Sequence, residues 1–146
     1  MSDISAEKLA ARILEANFMS QKELTQTILA VGGETATLEE FKRELVTQEK
    51  LTNFQITRLV EGQRRGYFYG KWKVLYLIGA GTFARVYRSV HIETGEVKAV
   101  KVLRNRYADD AEKVDDFIRE ARTVMALRHP NIIPVSYTHL RAPRDS

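Results

Sequence analysis

Two glycines and one lysine carry most of the chemistry that this sequence offers. Gly79 and Gly81 stand in the run IGAGTFARV, and Lys101 follows in VKAVKVL. A glycine has no Cβ, so the chain can bend tightly and its backbone N–H groups can approach phosphate oxygens that a side chain would keep away. A lysine set among β-branched residues is a cation carried on a stiff apolar strand. These are the parts of a clamp for the phosphates of a nucleotide. Two other phosphate-binding patterns fit less well. A dinucleotide fingerprint needs a helix directly after its glycines, and here Val86, Tyr87, Val90 and Ile92 continue as a strand. A Walker A loop ends in Gly-Lys-Ser or Gly-Lys-Thr, and neither occurs.

The elements that must position these residues are a hairpin and a helix. Glu93, Thr94, Gly95 and Glu96 form a turn signal, and Val97 to Leu103 resumes a strand. Alternation puts Ala99, Lys101 and Leu103 on one face and Val100 and Val102 on the other. From Asp109 to Leu127 there is no Gly or Pro, and Val114, Phe117, Ile118, Ala121, Val124 and Met125 recur at helical spacing. Asp109, Asp110 and Glu112 suit the start of that helix, Arg128 and His129 suit its end, and Pro130 stops it. A carboxylate on this helix can hold the Lys101 ammonium. Glu112, Asp115 and Asp116 are candidates, as is Glu120, which lies one turn from Phe117 and Val124 at the border of the apolar stripe.

The glycine pattern, the lysine strand and the segment FIREARTVMALRHPNII together resemble the eukaryotic-type serine/threonine protein kinases found in bacteria. Gly79, Gly81, Ala84 and Val86 match that family's glycine-rich loop, with alanine in place of the third glycine, and Ala99, Val100 and Lys101 match its lysine strand. The resemblance covers residues 72 to about 134. It implies an α+β fold, a kinase small lobe of antiparallel sheet plus C-helix, with Trp72 to Ile78 as its first strand. It further implies that Lys101 and Glu120 are the catalytic pair, Glu120 orienting Lys101 toward the nucleotide phosphates. Ile78, Val86 and Ala99 would line the adenine pocket, and Gly79, Ala80, Gly81, Thr82, Phe83 and Ala84 would cover the phosphates. The implied cofactor is ATP, with Mg2+ in a longer parent, and the implied reaction is γ-phosphoryl transfer to hydroxyls of a protein substrate. The family's catalytic loop HRDxxxxN and its DFG have no counterpart here, so the chain is expected to be catalytically incomplete and to hold no metal ligand. The alternative is a kinase-like module that binds nucleotide or a partner without chemistry.

The end of the chain reads differently. Val-Ser-Tyr-Thr-His-Leu at residues 135–140 can be encoded by a transposon mosaic end of the kind used in sequencing libraries. Leu-Arg-Ala-Pro-Arg-Asp can be encoded by the adapter that follows it. Residues 135–146 are therefore expected to be an adapter-derived tail, and a natural polar tail is the alternative.

At 146 residues with 44% hydrophobic content, the chain can hold one domain or two small ones. The absence of Cys excludes a disulfide framework and a thiolate metal site. No apolar run approaches membrane-spanning length and no signal-peptide pattern opens the chain, so a cytoplasmic location is expected for this segment. The resemblance leaves room for a membrane segment further along the parent. Charge is uneven. Residues 1–61 hold seven Lys or Arg against ten Asp or Glu, whereas residues 62–107 hold ten against two. A basic block around the glycine run suits a polyanionic nucleotide. It does not suit nucleic acid, because Tyr67, Phe68, Tyr69 and Trp72 fall in a connection and a strand and not on a stacking sheet.

Ahead of the kinase-like part lies an internal repeat with an offset of thirty-two residues. Leu9, Ile13, Leu14, Met19, Ser20, Glu23, Leu24 and Ile28 align with Phe41, Leu45, Val46, Leu51, Thr52, Gln55, Ile56 and Val60. Each unit reads as helix, break, helix. Ser20 with Glu23 and Thr52 with Gln55 are capping-box signals, and Gly32, Gly33 and Gly62 are closing signals. The expected organisation is a helical repeat of two helix-turn-helix units at residues 1–63, a connection at 64–71, and a partial kinase domain at 72–134. The acidic helical region argues against binding phosphate backbones and is expected to be a regulatory or protein-interaction module, with a purely structural extension as the alternative.

Overall fold

A computed structural model describes residues 4–82, 84–103, 119 and 132–136. The chain divides into two units, Met1–Tyr67 and Phe68–Ser146. The division falls inside the stretch expected to connect them.

The first unit is built by its helix ends. Helices α1 (Ala6–Glu15), α2 (Gln21–Ala30), α3 (Leu38–Thr47) and α4 (Asn53–Val60) begin at Ser5, Ser20, Thr37 and Thr52, and each hydroxyl accepts a backbone N–H three residues on. Three of the four are full capping boxes, with Glu23, Glu40 and Gln55 returning a bond to the cap residue's own N–H. The other ends repeat as well. Phe18 N–H donates to the Ile13 carbonyl at 3.2 Å, Lys50 N–H to Leu45 at 2.9 Å and Gln63 N–H to Arg58 at 3.0 Å. The residues just before these donors, Asn17, Glu49 and Gly62, have φ of 65°, 56° and 92°. These are Schellman closures with a left-handed residue after the last turn.

Between the caps, the aligned positions of the repeat supply the core. Leu9 and Phe41, Ile13 and Leu45, Leu24 and Ile56, and Met19 and Leu51 are all buried. Two polar ties hold elements distant in sequence. Lys50 pairs with Glu23 at 3.3 Å, and Arg12 Nη1 donates to the carbonyls of Leu59 and Val60 at 2.7 and 3.0 Å. Tyr67 closes the unit. Its ring meets Phe18 edge-on at 5.1 Å, its hydroxyl donates to the Gln63 carbonyl at 2.7 Å, and burial pushes the phenol up to about 12.

The second unit is a sheet in the order β1-β2-β3-β4-β5. Its strands are β1 (Phe68–Tyr69), β2 (Trp72–Ala80), β3 (Ala84–His91), β4 (Val97–Leu103) and β5 (Ile132–Ser136). The first four pair antiparallel, as the α+β reading requires, and β5 joins β4 in parallel. Ile132, Ile133, Pro134, Val135 and Ser136 pair along the lysine strand from Ala99 to Leu103, across the boundary expected at residue 135. A proline donates no ladder hydrogen bond, which suits β5 to the outermost position. The turn after β3 holds itself: His91 Nδ1 accepts from the N–H groups of Glu93 and Thr94, both at 3.2 Å, and Gly95 adopts φ 77°. Of the helix expected at 109–127, Arg119 is described, as helical and exposed; the rest lies outside the described residues. Among the described residues no helix is long and apolar enough to cross a membrane.

Candidate functional site

The register across β2, β3 and β4 decides which expected site residues meet. Gly79 stands opposite Val86, and Val86 stands opposite Lys101. Directly opposed residues of antiparallel strands point to the same side, so these three form a row across one face of the sheet. Ala99, two residues before Lys101, shares that face. The structure thus brings Gly79, Val86, Ala99 and Lys101 together, from three strands that the sequence separates.

The two faces differ in cover. On the reverse side Val74, Tyr87, Ser89, Val100 and Val102 are buried, whereas Val86, Ala99 and Lys101 are half-buried. The row's own face is closed at one end by Leu103 and Ala84, which are buried opposite each other. Ser89 Oγ is buried on the reverse side with no hydrogen-bond partner among the described residues. Ile78 is 54% exposed beside the row, at a register shift between Leu77 and Gly79. Such irregularities re-aim the end of a strand.

The glycines behave differently from the tight bend expected of them. Gly79 is within β2, paired and without a positive φ, and the bend itself runs from Gly81 to Ala84, where Gly81 N–H donates to the Ala84 carbonyl at 2.8 Å. A Cβ added at Gly79 would meet nothing within 4 Å, and one at Gly81 would make ordinary contact with the Ala84 carbonyl oxygen at 3.7 Å. Neither the backbone conformation nor the described surroundings force glycine at these positions. Ala80 ends β2, Thr82 is exposed in the bend, and Phe83 lies outside the described residues. So does Glu120, and with it the pairing to Lys101.

Strands β2, β3 and β4 contain Lys73, Arg85, Arg88, Lys98 and Lys101 and not one carboxylate. The nearby turn carboxylates are engaged at the far end of the hairpin. Glu93 pairs with Lys71 at 2.8 Å, a hydrogen bond that holds its carboxyl below the ordinary carboxylate range, and Glu96 lies 3.9 Å from Lys98. The sheet therefore presents a positive field suited to a polyanion. Among the described residues no cluster of His, Asp or Glu could hold a metal ion.

Residues 72–142 match the family model of the protein kinase domain. This stretch of the chain is similar to protein kinase domains, and the antiparallel sheet it forms is consistent with a kinase small lobe. Over 66 residues it is 39% identical to the serine/threonine-protein kinase PrkC of Bacillus subtilis, covering 45% of this chain and 10% of that protein. The MAP kinase kinase kinase SSK2 of Saccharomyces cerevisiae is 38% identical over 76 residues, covering 51% of this chain and 5% of that protein. The CBL-interacting protein kinase 12 of rice is 38% identical over 68 residues, covering 47% and 13%. The chain thus spans a small part of the length of each of these relatives.

Proposed function

We propose that the sheet unit is the ATP-binding small lobe of a protein kinase that phosphorylates serine or threonine hydroxyls of proteins. The observation that carries this reading is the row Gly79, Val86, Lys101, lying on a half-open face of a sheet that has no strand carboxylate. Lys101 would hold the α and β phosphates, and Glu120 would orient its ammonium. The backbone from Gly79 to Ala84 would cover the phosphates, while Ile78, Val86 and Ala99 would take the flat apolar base. These residues fit ATP, because Lys101 stands in one row with Gly79 and Val86 on a face that is only half-buried there. ATP would supply the phosphoryl group, and Mg2+, held by parts of the kinase domain that this chain does not contain, would neutralise its charge.

Two measurements test the assignment. In a protein that continues through a complete kinase domain, Lys101→Met should reduce phosphorylation to background, and retained activity would remove Lys101 from its role. In the present chain, a fluorescent ATP analogue should bind at least about tenfold more weakly after the same change, the loss of one charge-assisted contact worth about 1.5–3 kcal/mol. Unchanged binding would move the nucleotide elsewhere. Binding with no transfer in the complete protein would leave a kinase-like binding module.

A further inference from the structure

A cleft of about 370 Å³ opens in the helical unit, between α1 and the chain that leaves α4. Lys8, Ala11, Arg12, Glu15 and Ala16 form one wall, at the spacing of a single helix face. Leu59, Gly62, Gln63, Arg64 and Tyr67 form the other. Its size falls within the range of small-molecule and side-chain sites.

The charges that line this cleft are mostly cationic. Elsewhere in the unit Lys42 pairs with Glu39, Lys50 with Glu23, and Arg58 lies 4.6 Å above the Phe54 ring, while Lys22 and Arg43, outside the cleft, have no ion pair among the described residues. Lys8 and Arg64 line the cleft without an ion pair among the described residues. Arg12 is half-buried there, and its bonds go to the carbonyls of Leu59 and Val60 and not to a carboxylate. Those bonds neutralise the negative end of α4 and fix the guanidinium in place. Three cations thus face one carboxylate, Glu15, inside a segment that is acidic as a whole.

The repeat supplies an internal control. At the offset of thirty-two residues, Lys8 corresponds to Glu40 and Arg12 to Glu44 on α3. The same helix positions accept acids in the second copy, so the helical framework does not impose the cations of the first. Ala11, Ala16 and Leu59 add apolar surface to the lining beside its charges. A doubly charged oxyanion on a short aliphatic stem matches such a lining, because guanidinium and ammonium donors bind phosphate oxygens more strongly than neutral groups do.

We propose that this cleft binds a phosphate monoester. The inference concerns the helical unit alone and stands whether or not the sheet binds ATP. The test titrates the full chain with three probes: a phosphoserine peptide, the same peptide unphosphorylated, and inorganic phosphate. At least one phosphate-bearing probe should saturate and weaken as salt is raised, and the phosphopeptide should bind at least about tenfold more tightly than its unphosphorylated twin. A phosphopeptide tighter than inorganic phosphate assigns the ligand to a modified protein, and comparable binding assigns it to a small phosphate. The double variant Lys8→Glu, Arg64→Glu should lose the binding by about tenfold or more with an unchanged thermal midpoint. Both residues lie at the surface and outside the core, and Lys101→Met should leave this binding intact. No saturable phosphate binding, equal binding of the unphosphorylated peptide, or full binding by the double variant would overturn the proposal.

Discussion

The helical unit and the sheet unit solve the same problem, a small core, by opposite means. In the helical unit almost every device is local: a hydroxyl caps three residues on, a left-handed residue closes a helix just behind it, and the pattern is then repeated once. In the sheet unit the decisive contacts are between strands, and the row Gly79, Val86, Lys101 exists only when three of them are in register. Local devices give a closed body with Leu9, Ile13, Phe41 and Leu45 fully buried. Pairing across strands gives one closed face and one that stays half-open, and the half-open face is where chemistry with a ligand is possible.

The largest test of this contrast is Phe41→Ala. Phe41 is the largest fully buried side chain of the helical unit, and truncation should cost about 3–5 kcal/mol, enough to unfold a unit of this size. If the units are energetically separate, amide exchange should accelerate throughout α1–α4 and remain unchanged in β2–β4. Loss of protection in both would show that the sheet depends on the helices.

A second test compares two glycines of the sheet. Gly95 has φ 77° in the turn after β3, so Gly95→Ala should destabilise the hairpin by roughly 1–2 kcal/mol. Gly79 has no positive φ and open space where a Cβ would go, so Gly79→Ala should change stability by less than about 0.5 kcal/mol. The ranking should reverse for nucleotide binding, with Gly79→Ala the harmful change. Thermal melts and an ATP-analogue titration on the two variants separate the roles, and equal effects of both in either assay would erase the distinction.

These contrasts also explain what could be read in advance. Ser20, Thr52, Glu23 and Gln55 announced their helices because capping is chemistry within four residues. Glu49 gave no such signal, since a glutamate rarely closes a helix in the left-handed region; only its alignment with Asn17 identifies it. In the sheet, strand β4 was legible to the residue, from Val97 to Leu103, because a run rich in valine follows the turn signal at Glu93 to Glu96. The short β1 and the parallel β5 were not. Phe68 and Tyr69 read as part of a connection, and Pro134 argues against a strand until a neighbour to one side alone is known. The face shared by Ala99 and Lys101 followed from alternation, whereas their meeting with Gly79 needed the register and its shift at Leu77.

Thr52→Ala is a smaller perturbation, about 1 kcal/mol from the lost cap of α4. Ser20→Ala should cost a similar amount at α2. The two sites occupy equivalent places in the repeat and share no bond, so the double variant should equal the sum within about 0.5 kcal/mol. A larger coupling, measured by denaturant unfolding, would mean that the two copies fold as one cooperative body and not as two capped hairpins placed side by side.

The smallest effect distinguishes the boxes by pH. Glu23 and Glu40 return their carboxylates to the N–H groups of Ser20 and Thr37, and these backbone hydrogen bonds are the main reason that both carboxyls lie below the ordinary value of 4.5. Lys50 adds to the effect at Glu23. A carboxyl with a depressed folded value binds fewer protons in the native state than in the unfolded one. Its stabilisation is therefore present above the unfolded value and is lost as pH falls through the folded one. Gln55 performs the same reciprocal bond at α4 with an amide, which does not titrate in this range. On acidification below the ordinary carboxylate range, the first-turn amides of α2 and α3 should exchange faster relative to neutral pH, corrected for intrinsic rates, while those of α4 keep their protection. Glu23→Gln should make α2 behave like α4, because it retains the bond and removes the proton site. If α4 loses protection in step with α2 and α3, the acid response belongs to the fold as a whole, and the caps are not the local devices that set the helical unit apart from the sheet.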